Sequence, residues 1–397
     1  MDEHAFRALL IDHMVPMFAG TELGKAKSSS SRHALVAYEN PCALLMKPSR
    51  NSNYRVQLLR SQAFTSEEKR LFGLFVAELA DIASQADAAH FPDLMSVIPR
   101  RVISTFLPAA TGRGTLDEAI REFEELASQT YEGHPVVMAL GMTGAVGYGP
   151  ITLEELWRED FSRVISNGFD SMYRCGSDGR VSNVVYLPHP LSVAFAPHRL
   201  GAIAGWCRQN RVAIVLNRSG EVLLFKDGKL QFAKRRGAWR YYPHDSVVQR
   251  LRVGNALLRR AVYESCLDVS FARTGGCVAV LTETVRSKLS RALASRDLLD
   301  RDEITRTKLL SRAINNRTFQ DLDRRFRQEL LSMDGATVLT RTGKVLTAGS
   351  IVKVPSGSTG GGRKAAALQL SRLGLAIKIS ADGPITGFRK RKPIFSL

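Results

Sequence analysis

Apolar residues fall at helical spacing near the start of the chain, in near-continuous strand-like runs in its middle, and in alternating blocks toward its end. "MDEHAFRALLIDHM" (Met1–Met14) reads as an amphipathic helix, and "KAKSSSSRH" (Lys25–His33) as a flexible connection. "FTSEEKRLFGLFVAELADIASQ" predicts a second helix, whose Thr65-Ser-Glu-Glu start offers caps, with Leu71, Leu74, Phe75 and Leu79 on one face. "LPAATGRGT" marks a turn or boundary near residue 110, after which Thr115 and Glu118 form a capping box for a helix reaching about Gln129. An apolar strand, Val136–Leu140, runs into glycines at 141, 144, 147 and 149, and Thr152 with Glu155 caps the next helix.

From Arg211 to Trp239 the runs "VAIVL", "EVLLF" and "KLQFA", separated by Ser219-Gly220 and Asp227-Gly228, predict a β-meander. A helix over about Asn255–Leu267 leads to "TGGCVAVL", the pattern of a buried strand. In the last third, Thr318 and Asp321 suggest a capping box. Phe319, Leu322, Phe326 and Leu330 make one apolar stripe, and the helix ends at Ser332-Met333. Asp334-Gly335-Ala336 turns into a strand, Thr342-Gly343 turns it back, and "PSGSTGGG" opens into a helix over Arg363–Leu373 with Gly374 as its C′ residue. A final hairpin surrounds Ala381-Asp382-Gly383. Alternating helices and strands predict an α/β (α+β) fold, a mixed sheet flanked by helices. No internal repeat of fixed period is found.

At 397 residues, 44% of them apolar, the chain is long enough for two or three domains with proper cores. No apolar run approaches the ~18–20 residues that would cross a bilayer. Acids ahead of the first apolar residues argue against a signal peptide, and a cytoplasmic protein is expected. Cys42, Cys175, Cys207, Cys266 and Cys277 are far apart and form no CxxC, so a disulfide framework or zinc site is not expected. The net charge of +18 is spread along the chain and attracts polyanions: nucleic acid, membrane surfaces or nucleotides. Its densest run, "RKRK" (Arg389–Lys392), reads as a solvated tail or a nucleic-acid patch.

Two glycine-rich stretches precede helices. The one at residues 141–149 does not match GxGxxG and reads as a structural turn, with an anion cradle as the alternative. The other is Gly360-Gly361-Gly362, followed by Arg363 and Lys364. Free backbone N–H groups at a helix start, glycines without Cβ in front of them and two cations in the first turn suit a phosphate. Basic residues there oppose the helix dipole, an unfavourable placement unless an anion arrives. The motif is not a P-loop, which needs GxxxxGK[ST]. Across one hairpin from it, Asp334 between a helix end and a strand start can hold a divalent cation and help deprotonate a hydroxyl.

"TGGCVAVL", "SMDGATVL", "AGSIV", "GGGRKAA" and "IKISADGPIT" resemble, in order and spacing, the diadenylate cyclase (DAC) domain of DisA-type proteins, over about Ser246 to Arg389. The organisation implied is an N-terminal helical or mixed, sensor-like region (1–110), an α/β region ending in the meander (111–245) and a DAC domain (246–394). The resemblance implies condensation of two ATP into cyclic di-AMP with release of two pyrophosphates, Mg²⁺ or Mn²⁺ as cofactor, and a site between two facing catalytic domains of a homodimer or higher oligomer. It further implies that Asp334 binds metal and assists 3′-hydroxyl attack and that Gly335 and Ala336 line the nucleotide cleft. Gly360, Gly361, Gly362, Arg363 and Lys364 would cradle the triphosphate and stabilise the transferring phosphoryl group.

One departure is plain. Where the family has Thr-Arg-His-Arg, this chain has Gly361-Gly362-Arg363-Lys364, and no histidine follows His244. Two cations remain, and Thr359 stands where it could replace the threonine hydroxyl. A non-catalytic nucleotide sensor and a basic nucleic-acid-binding protein are the alternative readings. The separate DNA-reading helical domain of DisA-type proteins is not found in this sequence.

Overall fold

The computed structural model describes residues 1–85, 96–107, 113–160, 162–188, 193, 195–282, 286–301, 303–354 and 361–397. Helices and mixed sheets give an α+β fold, and the chain divides into two compact units, Met1–Pro243 and His244–Leu397. Among the described residues no helix is long and apolar enough to cross a membrane.

The first unit contains two larger sheets. Thr21–Ser28, Tyr54–Arg60, Ala43–Met46 and Val36–Asn40 form an antiparallel four-stranded sheet in that order. Lys25–Ser28 is therefore strand rather than flexible connection, paired with Tyr54–Val56, and Lys27 is held by Glu39. The second sheet has eight strands and contains the expected meander, Val212–Leu216, Val222–Lys226 and Lys229–Arg235. Its turn at Asp227 (φ 52°) and Gly228 (φ 73°) is the left-handed pair that a two-residue hairpin needs. The helix Ser66–Gln85 keeps its cap, since the Glu68 amide donates to the Thr65 hydroxyl at 3.2 Å and the Thr65 amide to the Glu68 carboxylate at 2.7 Å. The box expected at Thr115 and Glu118 does not form, because that helix starts at Arg113, ahead of both. The turn expected near residue 110 lies partly outside the described residues.

Capping at Thr152 and Glu155 is formed as expected. The glycine loop before it is packed against its own sheet. A methyl at Gly149 would land on the Val181 carbonyl, and Asp178 accepts the Gly147 amide at 2.9 Å. Gly149→Ala is accordingly expected to destabilise this unit by about 3 kcal/mol, read as a fall of roughly 6–12 °C in its thermal transition. An unshifted transition would return this loop to the list of ligand cradles.

The second unit is built around a six-stranded sheet: β1 (Gly276–Leu281), β2 (Ala336–Leu339), β3 (Val345–Ser350), β4 (Gly374–Ile379), β5 (Ile385–Arg389) and β6 (Lys392–Ser396), in the order β3-β2-β1-β4-β5-β6. Only β1 and β2 run parallel. Its helices are α1 (His244–Leu251), α2 (Ala256–Phe271), α3 (Arg286–Ala292), α4 (Thr305–Ile314), α5 (Arg324–Ser332) and α6 (Gly362–Leu370). Side chains alternate along β1 with period two. Cys277, Ala279 and Leu281 join Ala336, Val338, Ala376 and Phe388 in a core shared with α3 and α6. On the opposite face Gly276 lies against Val269 of α2 and the Leu331 carbonyl of α5. The absence of a side chain at Gly276 lets that helix end approach the sheet.

Several boundaries in this unit differ from those read in the sequence. Asn255 caps the start of α2, accepting the Leu258 amide at 2.8 Å, and the helix continues to Phe271 because its later turns stay buried. α5 is capped by Asp323, which accepts the Arg325 amide at 2.8 Å, whereas the Thr318–Asp321 pair belongs to a 3₁₀ turn ahead of the helix. α6 stops at Leu370, and Gly374 is the first residue of β4, where a side chain would strike the Val280 carbonyl. The basic run is not a tail: Lys390 (φ 49°) and Arg391 (φ 65°) form the tight turn between β5 and β6.

Candidate functional site

The register of the parallel pair, Val278 opposite Thr337, brings the starts of β1 and β2 side by side at the ~4.8 Å spacing of neighbouring strands. α5 leads into β2 through Met333-Asp334-Gly335, and the loop Thr274-Gly275 leads into β1. α6 runs antiparallel to β4, so its first turn returns to the same end of the sheet. Thr274 is the meeting point. Its carbonyl accepts an N–H from Nη2 of Arg363 at 3.3 Å, and its hydroxyl contacts that of Ser332, two residues before Asp334, at 2.8 Å.

Asp334 is exposed, and its carboxylate makes no hydrogen bond or ion pair with any described residue. Gly335 holds φ at +106°, and a Cβ there would sit 2.6 Å from the Ser350 carbonyl oxygen. Ala336 is fully buried in the core, so only its backbone can face a ligand. Gly361 is the N-cap of α6 with φ +79°; it and Gly362 are exposed and have open space where a Cβ would stand. Arg363 is half-buried, with Nη1 2.5 Å from the Cβ position of Gly275, itself at φ +70°. Lys364 is exposed and has no ion-pair partner among the described residues. Thr359 and Gly360 lie outside the described residues.

Four supporting residues, Gly349, Arg306, Asp297 and Thr347, have no local signal in the sequence. A β-bulge in β3 separates Ala336↔Ser350 from Val338↔Thr347, with Gly349 at φ +66° inside it. Arg306 of α4 fastens that bulge, donating to the Gly349 carbonyl at 2.8 Å and to buried Asp297 at 2.7 Å. Thr347 donates to the Asp297 carbonyl at 2.7 Å. Met333, Gly335 and the Asp334 carbonyl all rest on Gly349, so this bracket sets where Asp334 stands. The Gly275-Gly276 pair before an apolar run was the one cue to a close approach at this end. Arg306 lies 28 residues upstream of Asp334, with nothing in its neighbours to mark it.

Cys277, one residue into β1, is not a nucleophile: burial pushes its thiol up to about 12, against the nearby Arg363 charge, which acts the other way. The donor set suits a hard divalent cation only in one form. No group of three His, Cys, Asp or Glu that could hold a metal exists among the described residues. A single exposed carboxylate fits an ion that keeps its waters and takes its other ligands from a triphosphate, which is how Mg²⁺ is commonly bound.

Gly335→Ala is expected to cost this unit about 2–3 kcal/mol through left-handed strain and overlap with Ser350, measured by chemical denaturation of the full chain. Wild-type stability in that variant would show that the strand start tolerates a side chain.

No protein-family model matches the chain. No curated protein matches it either. Among solved structures it is similar to the crystal structure of a double mutant of DacA from Staphylococcus aureus, at 17% identity over 38% of this chain and 88% of that chain, with a TM-score of 0.21. At that score the likeness supports no statement about fold or chemistry.

Proposed function

We propose that the chain is a diadenylate cyclase that condenses two ATP into cyclic di-AMP and two pyrophosphates at a site shared by two facing copies of the second unit. The observation that carries this reading is the junction at Thr274, through which the Asp334 segment and the first turn of α6 are held at one end of the sheet.

Within one copy there is one carboxylate and one cationic cradle. The proposed ring needs two 3′-oxygens and two α-phosphorus atoms, each pair held in line, so a second nucleotide on a facing copy completes the site. Each 3′-oxygen attacks the α-phosphorus of the opposite nucleotide. A new P–O bond forms as the bond to the β-phosphate oxygen breaks, and the pyrophosphate leaves with that electron pair. Two such steps close the ring. Asp334 orients the 3′-hydroxyl and receives or relays its proton. The free N–H groups of α6, with Arg363 and Lys364, face the charge that builds on the transferring phosphoryl group. Mg²⁺ or Mn²⁺ on Asp334 would neutralise phosphate charge and lower the pKa of the attacking hydroxyl. Residues 1–243 would govern how often two second units meet.

The test is purified full-length chain with ATP and Mn²⁺, analysed by mass spectrometry for a cyclic dinucleotide and assayed for two pyrophosphates per product. Turnover per molecule should rise with protein concentration, because the site is completed by pairing. ATP binding without product at any concentration would instead support a nucleotide sensor. That second reading draws on the altered motif, Gly361-Gly362-Arg363-Lys364, which lacks the first arginine and the histidine of the family pattern.

A further inference from the structure

The positive charge expected to be spread along the chain is concentrated in one unit. Residues 244–397 hold 28 Lys and Arg against 13 Asp and Glu, a net of +15, whereas residues 1–243 hold 28 against 25, a net of +3. Much of the unbalanced charge stands at the end of the sheet opposite Asp334. There the registers Leu339↔Val280, Leu281↔Gly374, Leu375↔Arg389 and Arg389↔Lys392 align the ends of β2, β1, β4, β5 and β6. Arg341 follows β2, Arg372 precedes β4, Lys390 and Arg391 make the β5–β6 turn, and Lys392 opens β6. The linker between α1 and α2 crosses the same end and adds Arg252. The Arg389 guanidinium fastens the linker by donating to the Leu251 carbonyl at 2.6 Å, and a Cβ on Gly254 would sit 2.7 Å from the Arg341 carbonyl oxygen.

Arg252, Arg341, Arg372, Lys390, Arg391 and Lys392 are all exposed. None has a carboxylate partner among the described residues, whereas Arg260, Arg306, Arg324 and Arg327 elsewhere in this unit are each paired with an acid. Burial, with the Arg252 charge as the smaller cause, pushes Arg389 down from the ordinary arginine range. Three of the six also occupy left-handed backbone, Arg252 (φ 44°), Lys390 (φ 49°) and Arg391 (φ 65°), where glycine or asparagine is favoured. The turn therefore keeps charge at positions where the backbone favours a neutral residue.

We propose that this edge binds the phosphate backbone of a duplex nucleic acid without reading its sequence. Four strand spacings make the row about 19 Å long, roughly half a turn of a duplex. Arginine, which holds phosphate oxygens in a fork, supplies four of the six cations. Among the described residues, the exposed large apolar side chains of this unit, Leu257, Leu309 and Ile351, include no aromatic ring to stack on a single strand or anchor in a membrane interface. Asp334 lies about 20 Å from this edge along β2, so the two sites are separate and the inference does not rest on the cyclase reading.

The test is fluorescence anisotropy of the full chain with a 24-base-pair DNA duplex and an RNA duplex of the same sequence, from 50 to 200 mM KCl. With about five phosphates neutralised, the salt slope should be near −4.5 and affinity should fall roughly 500-fold across that range. The variant Arg252→Gly, Lys390→Asn, Arg391→Gly suits the left-handed positions better than the native residues do. It should melt no lower than the native chain while its salt slope becomes shallower by about 2.7. Binding of either duplex with that loss in the variant supports the proposal. Failure of both duplexes to bind, an unchanged slope in the variant, or displacement by ATP would overturn it. So would equal binding to phosphatidylserine vesicles that the same variant abolishes.

Discussion

Asp334→Ala is expected to lower cyclic dinucleotide formation by at least about a hundredfold, the usual worth of a positioned proton acceptor, while leaving ATP bound within a fewfold of wild type. The separation of effects follows from the geometry. Asp334 is exposed and supports no other described side chain, so its removal leaves the fold intact. The cationic side of the site belongs to α6, which is fastened independently through Arg363 and Thr274. Asp334→Asn, which keeps the shape and loses the charge, should behave like the alanine variant if metal and proton are its business. Product and pyrophosphate measured at matched protein concentration, with ATP affinity by calorimetry, decide the matter. Undiminished product in both variants removes the carboxylate from the chemistry. Lost ATP binding in both would mean that it serves affinity alone.

The largest stability effect is expected from Asp268→Ala. This carboxylate on α2 is 3% exposed and takes two N–H groups from Arg324 of α5, at 2.7 and 2.9 Å. One turn earlier on α2, Glu264 faces Arg327 at 3.5 Å. Removing Asp268 takes both of these hydrogen bonds and the nearest opposite charge from a mostly buried guanidinium beside a second arginine, a situation that typically costs 3–5 kcal/mol. The double variant Asp268→Leu, Arg324→Met should regain most of that loss, because removing both charges avoids stranding either one. Urea unfolding of the full chain, followed by a probe in the second unit, gives both values. A single-variant loss below about 1 kcal/mol would show that Arg324 finds another partner. Because α5 delivers Ser332 and Asp334 to the site, product formation should track the stability loss in the single variant and return in the double.

Periodicity carried most of the elements. The helix over Ser66–Gln85, the meander and the strand at "TGGCVAVL" were legible because packing and propensity agree there. Boundaries were lost where tertiary contacts override local signals. Gly374 has the look of a helix stop but serves as a strand residue pressed against Val280. Lys390-Arg391 lacks the glycine or asparagine that marks a left-handed turn, and so β6 was hidden. For the candidate site, residue types were readable in "SMDGATVL" and "GGGRKAA", but their assembly was not. The bracket of Asp297, Arg306 and Gly349 depends on a crossover between β1 and β2 that no local pattern encodes. The division of charge follows the boundary between the two units after Pro243, which no local pattern marks.

β1 is the sheet's inner rib, with all six of its residues buried, yet both strands that flank it come from far downstream. β2 follows after residues 282–335, and β4 later still. During synthesis the segment "GCVAVL" must therefore leave the ribosome and wait, uncovered, while the local hairpins β2–β3 and β4–β5–β6 are still being made. Closing such distant pairings is slow, and an unpaired apolar strand is what self-association feeds on. Yield of intact protein should thus depend on chaperone supply and growth temperature more than the folded stability of the unit alone would suggest.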